Sequence, residues 1–268
     1  VKSDKVSILD FSRKKAEGKK ITMLTAYDYP MAAVLDSAGI DSVLVGDSLG
    51  NVVLGYDSTV PVTMDEMIHH CKAVRRAVKK AFLIGDMPFM SYQISDEEAV
   101  RNAGRFVKEA GCEAVKIEGG GEACSRVRAI TGAGMPVLGH VGLTPQSAVK
   151  LGGYRVQGRD SSSAKKIVSD AALLEKAGCF AVVLECVPRG LAGRITSRLR
   201  IPTIGIGAGD LCDGQVLVTH DMAGYYDRFT PKFVKQYARI SDVLLDAARR
   251  FKADTESGAF PDSGHSFI

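Results

Sequence analysis

The chain has 268 residues, 46% hydrophobic and 25% charged, enough apolar material for one large core or two small ones and the composition of a soluble globular protein. A formal net charge of only +4, with basic residues in short groups (13–15, 75–76, 79–80, 249–250) and no interleaved aromatics, argues against a nucleic-acid partner. No apolar run reaches the roughly eighteen residues of a membrane span, the first twenty residues lack the apolar block of a secretory signal, and the six cysteines show neither CxxC nor zinc spacing, so a cytoplasmic protein with reduced thiols and no membrane partner is expected.

Eight short apolar runs follow in chain order: ITMLTAYD (21–28), SVLVGD (42–47), AFLIGDMP (81–88), EAVKIEGG (113–120), MPVLGHVGL (135–143), FAVVLECV (180–187), IPTIGIGAG (201–209) and GQVLVTHD (214–221). Segments 63–81, 95–111 and 161–178 between them have helical periodicity; each opens on Ser or Thr, and the last two close on Gly. Apolar strands joined by helices imply a parallel sheet covered on both faces, and eight such units favour a closed (β/α)8 TIM barrel over an open doubly wound sheet. The link DLCD before the eighth run is too short for a helix, and NVVLGYDSTVPV (51–62) reads as a lid or small hairpin beside strand two. With no repeat or linker, residues 1–268 are expected to form a single barrel domain with a short N-terminal helical extension.

Asp47, Asp86, Glu118 and Glu185 all sit where an apolar run ends. One such acid is ordinarily a cap for the turn that follows. Four at the carboxyl mouth of a barrel would repel one another unless a cation or ligand compensated them, and that mouth is where barrel enzymes collect their catalytic groups. Asp47, Asp86 and Glu118 come from three consecutive strands and suit a hard divalent ion; Mg²⁺ is preferred to zinc because histidine is scarce. Alternation in AVKIEG turns Lys116 and Glu118 to the same inner face, where the lysine either offsets Glu118 or anchors an anionic substrate. His140 ends the fifth run, His220 is placed in the eighth strand, and Cys186 is turned outward as a buried structural thiol. The glycines of IGIGAG (204–209) give a weak phosphate-loop signal only.

The stretches TAYDYPMA, VGDSLG, DMPFMSY, VKIEGG, GHVGLTPQS, GGYRVQGR, LECVP, IGIGAG with CDGQVLV, and PKFVKQY occur in that order, and the chain from about residue 8 to its closing FPDSGHSF resembles the ketopantoate hydroxymethyltransferase family. The resemblance implies a magnesium-dependent barrel of the phosphoenolpyruvate/pyruvate superfamily type, assembled as a homodecamer of two pentameric rings. It implies transfer of a one-carbon unit from 5,10-methylenetetrahydrofolate to 3-methyl-2-oxobutanoate, giving 2-dehydropantoate for pantothenate biosynthesis through a Mg²⁺-stabilised enolate. Asp47 and Asp86 fall on the metal-liganding aspartates, Glu118 on the associated third acid, Asp47, Ser48, Asp86 and Lys116 on substrate contacts, and Glu185 on the catalytic base. Tyr27 and His140 are further candidates for the substrate wall. A lyase or mutase of the same superfamily, and a non-catalytic metabolite-binding barrel, are the alternatives that the acid cluster alone leaves open.

Overall fold

The structure is a computed structural model describing residues 5–150, 152–226 and 228–267. Eight strands, β1 (Ile21–Thr25), β2 (Ser42–Val45), β3 (Phe82–Asp86), β4 (Ala114–Glu118), β5 (Val137–Gly142), β6 (Ala181–Glu185), β7 (Thr203–Ile206) and β8 (Gly214–Leu217), pair in parallel and in sequence order, and β8 closes the barrel on β1. Helix α1 (Ile8–Ala16) precedes the barrel, and α2 (Tyr29–Ser37), α3 (Leu49–Val52), α4 (Met64–Ala77), α5 (Asp96–Lys108), α6 (Cys124–Gly132), α7 (Ser161–Ala177) and α8 (Arg189–Arg198) lie between strands. Two compact units are present, residues 1–218 with the barrel and residues 219–268.

Helix starts follow local chemistry. Thr63 and Glu66 form a reciprocal capping box at α4, and Ser95 accepts the Glu98 amide at α5. At α7 the cap is Asp160, one residue ahead of the serine run, accepting the amides of Ser162 and Ser163.

Strand alternation splits the core into two layers. Ile21, Met23, Leu44, Phe82, Ile84, Ala114, Leu138, Ala181, Val183, Ile204 and Val216 form an inner cluster; Val43, Leu83, Val115, Ile117, Val137, Val182 and Leu184 pack in an outer one with helix residues such as Met67, Phe106 and Leu174. Phe11 of α1 joins the inner cluster, meeting the rings of Phe82 and Phe180 edge-on at 5.6 and 5.4 Å. Both partners stand at strand beginnings, so α1 plugs the amino end and leaves the carboxyl end for chemistry.

Two local expectations change. Segment 51–62 forms no hairpin: it holds the end of α3 and an irregular loop, Tyr56 N–H donating to Gly50 O at 2.7 Å. His220 lies in α9 (Thr219–Met222) of the second unit, because β8 stops at Leu217. That unit also carries α10 (Ile240–Ser257), which has no buried residue and exposes Val243, Leu244, Leu245 and Phe251. Among the described residues no helix is long and apolar enough to cross a membrane.

Candidate active site

The parity that places Ile84, Ala114, Leu138 and Val183 in the inner cluster carries Asp86, Lys116, Glu118, His140 and Glu185 inward at the carboxyl ends of β3, β4, β5 and β6. Asp47 arrives differently, two residues beyond β2. It is not the simple cap of the next helix, since its Oδ2 accepts from Gln146 Nε2 at 2.9 Å and its main-chain N–H donates to Asp86 Oδ2 at 3.1 Å. The site thus gathers Asp47, Asp86, Lys116, Glu118, His140 and Glu185 in a continuous line of contacts around one side of the mouth.

Lys116 is 5% exposed. Its Nζ lies 2.7 and 2.8 Å from the two Asp86 carboxylate oxygens and 3.4 Å from Glu118 Oε1, so its main partner is Asp86 and not Glu118 alone. Burial by itself would lower the lysine pKa, but the charges of Asp86, Glu118 and Asp47 outweigh it and hold the ammonium protonated. Asp47 is pushed the other way: burial raises its pKa well above the ordinary carboxyl value and the Asp86 charge adds to it. Asp86 is raised chiefly by burial, against the pull of Lys116. For Glu118, Lys116 and His140 overcome burial, and its pKa is lowered.

His140, 1% exposed, sits between two acids, with Nδ1 at 3.3 Å from Glu118 Oε1 and Nε2 at 3.2 Å from Glu185 Oε2. Neither contact meets hydrogen-bond geometry, so the attraction is essentially charge on charge. Burial and Lys116 both disfavour the imidazolium, yet the two carboxylates prevail and its pKa is raised to about 9. His140 is therefore more intimate with the acids than a wall residue. Tyr27 belongs to the edge of the site: its hydroxyl pairs with Ser48 Oγ at 2.8 Å. Glu185 is the most open acid, its side chain 15% exposed. Gly142 packs against its main chain: a Cβ there would stand 2.2 Å from the Glu185 carbonyl oxygen, and the left-handed φ of 100° favours glycine. Cys186 next door has φ 47° and is half-buried, not fully buried as expected, and burial and Glu185 push its thiol up to about 12.

Two residues of the site were not singled out in the sequence. Gln146 bridges Asp47 and Glu118, its main-chain N–H donating to Glu118 Oε2 at 3.1 Å. Tyr92 accepts the Glu118 N–H at 3.0 Å and reaches Gln146 Oε1 at 2.9 Å. Both lie in quoted stretches, TPQS and DMPFMSY, but no periodicity points an irregular loop inward.

Four carboxyl groups face two cationic groups, and burial together with the Asp86 charge drives Asp47 toward its protonated form when no cation is bound. Asp47 Oδ1 accepts no hydrogen bond among the described residues. An oxygen-only donor set with spare negative charge fits Mg²⁺, which takes one or two carboxylates and fills its remaining positions with water or substrate oxygens. Among the described residues no group of three or more His, Cys, Asp or Glu side chains is placed to hold a metal ion by itself, so Asp47, Asp86 and Glu118 do not form a three-ligand site as they stand.

The sequence profile of the family described as ketopantoate hydroxymethyltransferase matches residues 5–263. A 3-methyl-2-oxobutanoate hydroxymethyltransferase of Syntrophomonas wolfei is 58% identical over 262 residues, covering 98% of this chain and 94% of that protein. One from Moorella thermoacetica is 59% identical, covering 98% of each chain. Among solved structures, a phosphonopyruvate hydrolase complex with oxalate and Mg²⁺ superposes with a TM-score of 0.63 at 12% identity, covering 97% of this chain and 93% of that one. A 2,3-dimethylmalate lyase of the PEP mutase/isocitrate lyase superfamily gives 0.62 at 14% identity, with 99% and 92% covered. These two share the fold.

Proposed function

The chain belongs to the ketopantoate hydroxymethyltransferase family, and from that premise we infer that it transfers a hydroxymethyl group to 3-methyl-2-oxobutanoate, giving 2-dehydropantoate in pantothenate biosynthesis. The one-carbon donor in this reading is 5,10-methylenetetrahydrofolate. The observation that carries the assignment to this site is the separation of roles within it: Asp86 and Glu118 pair with Lys116 and Asp47 lies against Asp86, while Glu185 stands apart behind His140.

Asp47, Asp86 and Glu118 would hold Mg²⁺, which when bound would draw electron density from the keto oxygen of the substrate and make its neighbouring carbon acidic. Lys116 and Ser48 receive and orient the substrate carboxylate, with Tyr27 fixing the Ser48 hydroxyl. Glu185 takes the single proton from the third carbon; its comparative openness gives it access to a substrate that the buried acids lack. His140, held protonated by its two carboxylates, keeps the Glu185 side chain directed inward. The substrate carbon then bonds to the methylene carbon of the donor, water supplies the hydroxyl oxygen, and tetrahydrofolate leaves. The working protein is read as a homo-oligomer, a decamer by family expectation, and the exposed apolar side chains of α10 are the kind of surface that association buries.

The test is proton exchange at the third carbon of 3-methyl-2-oxobutanoate in deuterated water without folate. Mg²⁺-dependent exchange is expected, and Glu185→Gln should slow it by about 10² to 10⁴, the usual cost of losing a general base. Exchange at the parent rate in the variant would move the base elsewhere, with His140 next to be examined. A binding module would give no exchange at all.

A further inference from the structure

Gln146 is 5% exposed, and its side-chain amide is fully committed. Its nitrogen lies 2.9 Å from both Asp47 Oδ2 and the Met87 carbonyl oxygen, and its oxygen lies 2.9 Å from the Tyr92 hydroxyl and 3.4 Å from Gln93 Nε2. The Met87 carbonyl can only accept, so the NH2 end must face Met87 and, beside it, Asp47; the orientation follows from the partners. Both amide hydrogens are then spent. One is anchored on the chain just beyond β3, and the other occupies a single oxygen of Asp47. The opposite end is held by Tyr92, itself tied to the Glu118 main chain.

The consequence falls on the cation. With Oδ2 engaged by the Gln146 amide, Oδ1 is the Asp47 oxygen that no protein donor holds among the described residues, and the amide fixes the carboxylate's orientation. Mg²⁺ favours near-octahedral coordination, with few carboxylate oxygens and several waters or substrate oxygens, whereas Ca²⁺ accepts six to eight oxygens and readily takes both oxygens of one carboxylate. We propose that Gln146 is a positioning and specificity-determining residue that restricts Asp47 to one-oxygen ligation and so makes the site select Mg²⁺ over Ca²⁺, with Tyr92 acting through it by holding the amide. This rests on the divalent-cation site of the proposed function and adds to it the basis of its ion selectivity.

The test is titration of the protein with Mg²⁺ and, separately, with Ca²⁺, in the presence of 3-methyl-2-oxobutanoate and read by calorimetry, for the parent, Gln146→Leu, Tyr92→Phe and the double variant. Partners of metal ligands typically contribute about 10- to 100-fold to metal affinity, so Gln146→Leu should weaken Mg²⁺ binding by that range. Ca²⁺ binding should change much less, collapsing the parent's preference by roughly tenfold or more. Tyr92→Phe, nearly isosteric and therefore a safe fold, should shift the preference in the same direction by less. In the double variant the preference for Mg²⁺ over Ca²⁺ should match that of Gln146→Leu alone, since the remaining Tyr92 contacts, to the Glu118 main chain, bear on both ions alike. A loosened fold would weaken both ions alike, and equal weakening would overturn the proposal. So would additive effects of the two substitutions on that preference. A parent protein with no Mg²⁺ preference would overturn the metal reading of the site as well, whereas a parent preference retained in both variants would overturn this inference alone.

Discussion

Lys116 shows how one buried charge organises the mouth. An unpaired ammonium at that depth would be costly, and the two short contacts to Asp86 are what make it tolerable. Removing the Asp86 side chain would therefore strand the lysine, so the informative substitution is Asp86→Asn, which keeps the shape and one acceptor oxygen. Mg²⁺ and 3-methyl-2-oxobutanoate should weaken together by about 10- to 100-fold, the effect of losing a charged contact of roughly 1.5–3 kcal/mol. Calorimetry checks this; unchanged oxo-acid binding in the presence of a chelator would contradict a shared site. Lys116 and Glu118 were legible from alternation alone, because a strand fixes which face each residue takes. Gln146 was not, since it enters from a short 3-10 turn at Pro145–Ser147 whose geometry has no period to read.

At the level of elements, the barrel depends on how helices hand over to strands. Asp36 in α2 accepts the amides of Lys79, Lys80 and Ala81 at 3.0, 2.9 and 2.8 Å, binding the end of α2 to the residues that lead into β3. Burial would raise its pKa, but the three donors outweigh burial and the carboxyl is held below its ordinary value. A depressed folded pKa means that its stabilisation is present above the unfolded value of about 4 and is lost as pH falls through the lower folded value. Asp36→Asn should lower stability by about 1–3 kcal/mol at neutral pH, and denaturant midpoints should show the gap between parent and variant narrowing in acid. All eight strands could be read from apolar runs, yet their ends could not. The eighth run continues in sequence past the point where β8 stops pairing, which is why His220 was placed in a strand and is found in a helix. Residues 51–62 suggested a hairpin, but the local contacts close a turn after α3 instead.

For the whole molecule, the barrel converts a periodic sequence into one mouth where Asp47, Asp86 and Glu118 gather on one side of His140 and Glu185 stands on the other. The closed order of β1 to β8 brings residues from four separate strands together, so no short motif could have encoded the arrangement by itself. That design predicts a complete reaction and not merely an activated oxo acid. The most direct test is to supply 3-methyl-2-oxobutanoate, Mg²⁺ and 5,10-methylenetetrahydrofolate labelled with ¹³C at the methylene carbon, and to follow the label by NMR. The label should appear in the new hydroxymethyl carbon of 2-dehydropantoate, dependent on Mg²⁺ and on Glu185. Exchange of the third-carbon proton with no labelled product, or labelled product formed equally well by Glu185→Gln, would contradict it.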